Sequence, residues 1–313
     1  MSVSGDVGES KVSFRTDAVR VLVPATSANL GPAFDSAGLA LELVDELVAI
    51  VTDDPGVLVE VTGEGSDDLP RDSSHLVVRA MALGFSALGA TPQGFVLRCT
   101  NVIPHGRGLG SSAAAIIGGL VLARALVIDG TDRMSDDDLL QLALTMESHP
   151  DNIAAALLGS FTIAWTTEAG RADAARIDVN PELRAIVAIP AFEVPTKAAR
   201  AALPAQVDYA QASFNIARSA LLVHAMTQDP SLLLEATLDR LHQEQRRGMY
   251  APSMELVDSL RSRGIAAAIS GAGPTVIALV TADQVDAVLG IIEGDWRAFA
   301  LRIRASGAQV LDS

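Results

Sequence analysis

The sequence predicts an α+β protein of two domains. Its 313 residues exceed the length at which a single hydrophobic core usually suffices. Short strand-like apolar runs are interleaved with longer helical ones, and some of the strands read as antiparallel neighbours. A polar stretch rich in Ala, Gly, Arg and Asp at 166–178 interrupts the pattern, so the boundary falls at 170/171. The expected units are a first domain over 17–170 and a second over 171–313.

Residues 1–16 are polar and mixed in character and read as a flexible tail. Strands are expected near 19–23, 40–52, 57–63, 94–99 and 160–165, and helices near 74–89, 111–127, 136–147 and 152–158. Ser135 followed by Asp138 is a capping-box start for the third helix. The run Asp136-Asp137-Asp138 lies favourably on that helix's positive end and reads as a solvated helix start. In the second half the expectation is a strand at 184–190, several helices between 196 and 263, and strands at 265–270 and 275–280. A helix at 282–292 and a strand near 298–304 follow.

A hydrophobic fraction of 49% and a charged fraction of 19% suit a soluble globular protein. The net charge of −15 argues against nucleic acid or an anionic membrane as partner, since either calls for a basic surface. An anionic nucleotide is still allowed, because a helix N-terminus and a bound cation act locally. Cys99 stands alone, which excludes an intrachain disulfide and a cysteine metal site and points to a reducing cytoplasm. No apolar leader or membrane span is read.

The most specific signal is Pro104-His105-Gly106-Arg107-Gly108-Leu109-Gly110-Ser111-Ser112-Ala113-Ala114, which opens the second helix. Three glycines free the backbone to turn tightly and to approach an anion. Ser111 and Ser112 stand where unpaired amides and the positive helix end converge. The run is a phosphate cradle without being a Walker loop, because the only lysines in the chain are Lys11 and Lys197. Its G-x-G-x-G spacing also departs from the dinucleotide fingerprint.

The cradle resembles the ATP-binding motif of the GHMP small-molecule kinases. Two further segments resemble that superfamily's other signatures, in the same chain order. One is Pro24-Ala25-Thr26-Ser27-Ala28-Asn29-Leu30-Gly31-Pro32-Ala33-Phe34-Asp35; the other is Ser270-Gly271-Ala272-Gly273-Pro274-Thr275. The resemblance implies an N-terminal domain like an α+β domain of a ribosomal protein, a ferredoxin-like C-terminal domain, and an active site between them. It assigns residues 104–114 to ATP, with His75 on the base side where relatives usually carry Asn. Ala33 stands where the family usually has Gly.

Within the superfamily the Thr-Ser-Ala-Asn-Leu-Gly run resembles the homoserine kinases. That implies a small amino-acid alcohol, L-homoserine, as acceptor, with another small alcohol as the alternative and a non-catalytic sensor as a more distant one. Asn29 and Asp35 lie in one loop and suit a hydroxyl and an ammonium, although such residues also stabilise turns. Thr196 and Arg200 share one helix face, and His242 and Arg246 have the same spacing; both arginines resemble positions that grip an α-carboxylate. Glu147, at the expected end of an apolar helix, would favour a cation, and with Ser111 and Ser112 it offers oxygen ligands for Mg²⁺. His149 is given a lining role. Asn152 is expected to align the acceptor hydroxyl, with Asp151 as structural support or, alternatively, as the base. A homodimer is the candidate assembly.

Overall fold

The structure, a computed structural model, describes residues 12–311. Residues 1–11 of the expected tail lie outside the described ones. Residues 12–16 are anchored: Phe14 bridges to Val127 and meets the Phe85 ring edge-on at 5.7 Å.

The chain opens with an antiparallel pair, β1 (Val19–Ala28) and β2 (Ala37–Thr52). β1 continues past residue 23, where the sequence reading ended it at Pro24. Proline has no N–H for the ladder, and the register shifts between Pro24 and Ala25, so the ring sits at a bulge that tolerates it. β3 (Gly56–Gly63), α1 (Leu76–Ala87) and β4 (Gly94–Asn101) form a crossover whose two strands pair in parallel. α2 (Ser111–Leu126) is buried along nearly its whole length, as its unbroken Ala/Ile/Leu/Val composition requires.

α3 (Gly130–Arg133) is a single turn, and α4 (Asp136–Leu144) begins with the expected capping box of Ser135 and Asp138. α4 ends at Leu144 and not at 147. α5 (Pro150–Leu158) starts two residues earlier than expected, because a proline is well suited to the first helical position. β5 (Phe161–Thr166) and β6 (Ala172–Ile177) complete a hairpin, β5 pairing in turn with β2.

The second half starts at β7 (Leu183–Ile189), followed by α6 (Thr196–Ala201), α7 (Tyr209–Thr227), α8 (Leu233–Ala236) and α9 (Ala251–Ser262). β8 (Ala266–Ile269), β9 (Val276–Thr281), α10 (Val285–Leu289) and β10 (Arg297–Arg302) come next, and β11 (Gln309–Leu311) ends the described chain. Four of these strands form an antiparallel sheet in the order β10-β7-β9-β8. Strand, helices, two strands, helix, strand in that order is the ferredoxin-like arrangement. Alternation along β7 shows how the sheet is used. Leu183, Ala185, Val187 and Ile189 join the core shared with the first half, whereas Ile186 and Ala188 face a second core with Val257 and Leu260 of α9.

The first sheet reaches across the expected boundary at 170/171. It takes in β6 beyond it and β11 from the far end of the chain, β11 pairing with β1. Neither strand is legible as one: β6 is a largely exposed edge of Ala, Arg and Asp, and β11 has three residues. Among the described residues no helix is long and apolar enough to cross a membrane.

The two halves touch backbone to backbone at Gly31. Its φ is +93°, and a Cβ there would stand 2.2 Å from the Thr237 carbonyl oxygen. Gly31→Ala therefore combines left-handed strain with overpacking and should cost roughly 2–4 kcal/mol. A lowered urea midpoint at unchanged slope is the expected result; an unaltered midpoint would contradict this packing.

Candidate active site

Three loops from distant parts of the chain are locked into one body. Thr26 N donates to Leu109 O (3.0 Å), Gly271 N to Ala28 O (3.1 Å) and Thr275 N to Arg107 O (3.2 Å). The Ser270 hydroxyl donates to Gly108 O at 2.6 Å and lies 2.8 Å from the Ser27 hydroxyl. At Gly108 and Gly110, with φ of +76° and +68°, a Cβ would come within 2.3 Å of Ser270 O and 1.9 Å of Thr26 Oγ1. Gly108 and Gly110 are thus required by the neighbouring loops.

α2 starts directly after Gly110 and has no side-chain cap. The amides of its first turn have no intrahelical acceptor, and Ser111, Ser112 and Ala113 line a cleft together with Gly106, Gly108 and Gly110. On the other side of the same serines lies a more apolar cavity lined by Leu47, Leu69, Val77 and Ala114, with His75 and His105 among the polar walls. His75 caps α1 by accepting from Val77 N at 3.3 Å, and its buried Nε2 has no partner. Burial pushes the pKa of both histidines down, which favours neutral rings. Asp45, in the same wall, accepts from Val102 N (2.6 Å) and Ile103 N (2.9 Å), and burial pushes its carboxyl up to about 6.

Three expected nucleotide contacts stand apart from these cavities. Leu109 is buried in the main core, and Pro104 lines neither cavity. Arg107 turns away, because its guanidinium binds the carbonyls of His105, Pro190 and Ala191 and pairs with Glu193 at 2.7 Å. It fastens the cradle to the segment after β7.

Asn29, Asp35, Glu147, His149, Asp151, Asn152, Thr196, Arg200 and Arg246 all line the first cleft, the last three brought in from the second half. Their pairings differ from the sequence reading. Asn29 has its carboxamide occupied by backbone, accepting from Asp35 N (2.9 Å) and donating to Gly271 O (3.0 Å), so it shapes the loop. Both Asn29 and Asp35 have positive φ, +70° and +55°, which that hydrogen bond helps to hold.

The two arginines do not converge as a symmetric pair. Arg200 grips Asp35 with both terminal nitrogens, at 3.0 and 2.6 Å. Arg246 sits on a 3-10 turn (Glu244–Met249), only 2% exposed, and has no carboxylate within ion-pair distance among the described residues. Its Nε donates to Ala199 O at 2.8 Å, and burial, joined by the like charge of Arg200, draws it below the usual arginine value. A buried guanidinium without an acid is costly unless an anion approaches it.

Asp151 is 3% exposed, and burial pushes its carboxyl up to about 6. It accepts from the Asn152 amide at 2.6 Å. The Asn152 side chain accepts from the Thr26 hydroxyl at 2.7 Å and donates towards Asp151 at 3.2 Å. Glu147 lies beyond the end of α4, so the helix dipole does not define its surroundings. Its counter-charge is His149 at 2.8 Å, which lowers the Glu147 pKa and raises that of His149. No group of three or more His, Cys, Asp or Glu suited to a metal occurs among the described residues. Thr26 and Phe34 are lining or supporting residues that the sequence reading passed over, although both lie within the 24–35 run; their signal was proximity to Asn29 and Asp35.

The Glu147–His149 pair has a defined pH window. A His149 value raised above 6.5 gives stabilisation that is complete below 6.5 and lost as pH rises through the raised value. A Glu147 value lowered below 4.5 gives stabilisation present above 4.5 and lost as pH falls through the lowered one. The pair therefore contributes most between these limits. NMR titration of His149 should give a midpoint above 6.5 that falls in Glu147→Gln; an unchanged midpoint would remove the pairing.

The chain matches the family model for the GHMP kinases N terminal domain at residues 75–160 and that for the GHMP kinases C terminal region at residues 219–307. Homoserine kinase of Streptomyces coelicolor is 51% identical over 299 residues, covering 96% of each chain. Homoserine kinase of Mycobacterium tuberculosis is 48% identical over 264 residues, covering 83% of each. The crystal structure of homoserine kinase from Cytophaga hutchinsonii superposes with a TM-score of 0.82 at 27% identity, over 96% of this chain and 98% of that one. Mevalonate diphosphate decarboxylase from Staphylococcus aureus, at 16% identity and a TM-score of 0.66 over 95% and 98% of the two chains, shares the fold. Two matched segments in the family's order, around a cleft built from the family's three loops, and relatives this similar over nearly the full length lead to one conclusion: the chain belongs to the GHMP kinase family and groups there with the homoserine kinases.

Proposed function

We infer that this chain is an ATP-dependent kinase that transfers the terminal phosphoryl group to the side-chain hydroxyl of L-homoserine. The products are O-phospho-L-homoserine and ADP, a step of threonine biosynthesis in the cytoplasm. The observation that carries this reading is the 51% identity to a homoserine kinase over 96% of both chains. The cleft supports it with an acid-free guanidinium, Arg246, beside a carboxylate, Asp35, which matches an amino-acid zwitterion.

The first turn of α2 receives the β- and γ-phosphates, and the apolar cavity beyond Ser111 and Ser112 receives the base. Because His75 Nδ1 accepts from Val77 N, the unpartnered Nε2 carries the proton and donates to a nucleotide acceptor. Glu147 and the Ser111 and Ser112 hydroxyls, hard oxygen donors in the cleft, would hold Mg²⁺, which would supply neutralisation of the phosphate charge. Arg246 takes the substrate carboxylate. Asp35 takes the ammonium, and Arg200, released from part of its grip on Asp35, closes on the carboxylate with Thr196 at its side. Asn152, held by Thr26, offers its free N–H to the acceptor oxygen and sets its line of attack. Phosphoryl transfer has a loose transition state, so positioning and charge neutralisation supply most of the acceleration.

An ATP-consumption assay across homoserine, threonine, serine, mevalonate and galactose tests the reading, homoserine being the preferred acceptor. Arg246→Met should raise the homoserine KM on the order of ten- to a hundredfold, the loss of a charge-assisted contact of about 1.5–3 kcal/mol. Turnover of homoserinol, which lacks the carboxylate, should barely change. Because the variant removes a buried, acid-free cation, its thermal midpoint without substrate should be equal to the wild type or higher. Equal turnover of homoserinol and homoserine by the wild type would sink the assignment.

On the positioning account the hydroxyl proton leaves to an oxygen of the transferred phosphoryl group or to solvent. One observation favours a second route: Asp151 lines the cleft with a carboxyl near 6, a value suited to a general base. On the positioning account Asn152→Ala lowers kcat sharply, while Asp151→Asn stays within about tenfold of the wild type, less than the 10²–10⁴ a base contributes. A larger loss in Asp151→Asn, with a wild-type kcat that falls as pH drops through about 6, would make Asp151 the base.

A further inference from the structure

We propose that Phe34 is the positioning residue of the acceptor pocket, holding Arg246 and Arg200 in place through the face of its aromatic ring. The proposal rests on the reading that this pocket takes an α-carboxylate.

Phe34 is half-buried and lines the cleft. The guanidinium carbons of Arg200 and Arg246 lie 5.2 and 5.3 Å from its ring centroid, both within the range of a cation–π contact. The His242 ring packs against it at 5.1 Å, tilted by 31°. Two like charges are thus gathered around one ring. Arg200 has Asp35 as counter-ion, but Arg246 has no acid and is buried.

Arg200 opposes Arg246 by its like charge, and Asp35 and Asp239 favour it only from beyond ion-pair distance. The groups in contact with it stabilise a cation without supplying an acid: the buried Tyr250 hydroxyl lies beside it, and Ala199 O takes one N–H. His242 Nδ1 stands 3.4 Å from Nη1, and His242 Nε2 lies 2.7 Å from Gly31 O. Since a carbonyl only accepts, Nε2 carries the proton and Nδ1 presents its lone pair to the guanidinium. Asp239 pins this turn by accepting from the amides of Leu241, His242 and Gln243. An acid in place of Phe34 would saturate Arg246 and close the pocket to a carboxylate. An aliphatic side chain would leave the buried Arg246 facing the like charge of the partly exposed Arg200 with no aromatic face between them. The negative face of an aromatic ring meets both requirements: it attracts each guanidinium and leaves the planar N–H edges to the substrate.

The test separates the ring's electronics from its bulk. Trifluorophenylalanine at position 34 keeps the shape and abolishes the negative face; Phe34→Leu removes the ring; Phe34→Tyr preserves it. The fluorinated and leucine variants should raise the homoserine KM about three- to thirtyfold, with kcat and the ATP KM within about twofold, and Phe34→Tyr should stay close to the wild type. For homoserinol, kcat/KM should hold steady in every variant. A fluorinated variant with the wild-type homoserine KM overturns the proposal, as does a parallel loss for homoserinol, since either makes Phe34 a packing wall. Should Phe34→Leu fold poorly, the near-isosteric fluorinated protein still decides. Wild-type turnover of homoserine in the same series reports separately on the functional reading, so a Phe34 result obtained with an active wild type bears on this proposal alone.

Discussion

A Cβ at Gly110 would stand 1.9 Å from the Thr26 hydroxyl, and one at Gly108 would stand 2.3 Å from the Ser270 carbonyl. These approaches bring the loops at 24–35, 104–110 and 270–275 into backbone contact, and every other feature of the cleft depends on that. The same contact aims the start of α2 into the cleft, sets Thr26 under Asn152 and fixes Asn29 against Gly271. Glycine at these places serves conformation and proximity together, since each position also has positive φ.

The lock works because the two halves are not separable bodies. β11 returns from the end of the chain to the edge of β1, and one face of β7 contributes to the core that the first sheet uses. Arg200 and Arg246 from the second half can therefore be held against a carboxylate and a helix N-terminus from the first without a mobile hinge to define them. An active site at such a junction draws its polar groups from elements that are rigid for reasons of packing.

Electrostatically the cleft is a local exception in an acidic protein of net charge −15. Within it Asp35 pairs with Arg200 and Glu147 with His149, while the Arg246 guanidinium and the Asp151 carboxyl, pushed up to about 6 by burial, stand outside any ion pair. Burial weakens the screening that would make such an imbalance unimportant at a surface. The leftover cation is tolerated by a carbonyl, an imidazole lone pair and an aromatic face. On the function proposed above, a zwitterion would answer this arrangement, its carboxylate meeting Arg246 and its ammonium meeting Asp35.

The sequence by itself determined the glycine-rich turn before α2, the capped start of α4, the order of most elements and many of the polar residues that line the cleft, though not Phe34, and it placed Pro104, Arg107 and Leu109 there wrongly. Those signals are local: glycine spacing, a Ser–Asp pair three residues apart, apolar periodicity, and motif order along the chain. Tertiary structure alone decided who pairs with whom. Asn29 and Arg107 carry functional-looking side chains, yet neighbours distant in the chain occupy both. Arg200 and Arg246 look equivalent in sequence, and only burial and the reach of Asp35 make one an ion pair and the other an unmatched charge. β6 and β11 escaped notice because an exposed edge strand needs no apolar alternation. Pairing is a property of distance through space, and a one-dimensional pattern holds that only where the partners are a few residues apart.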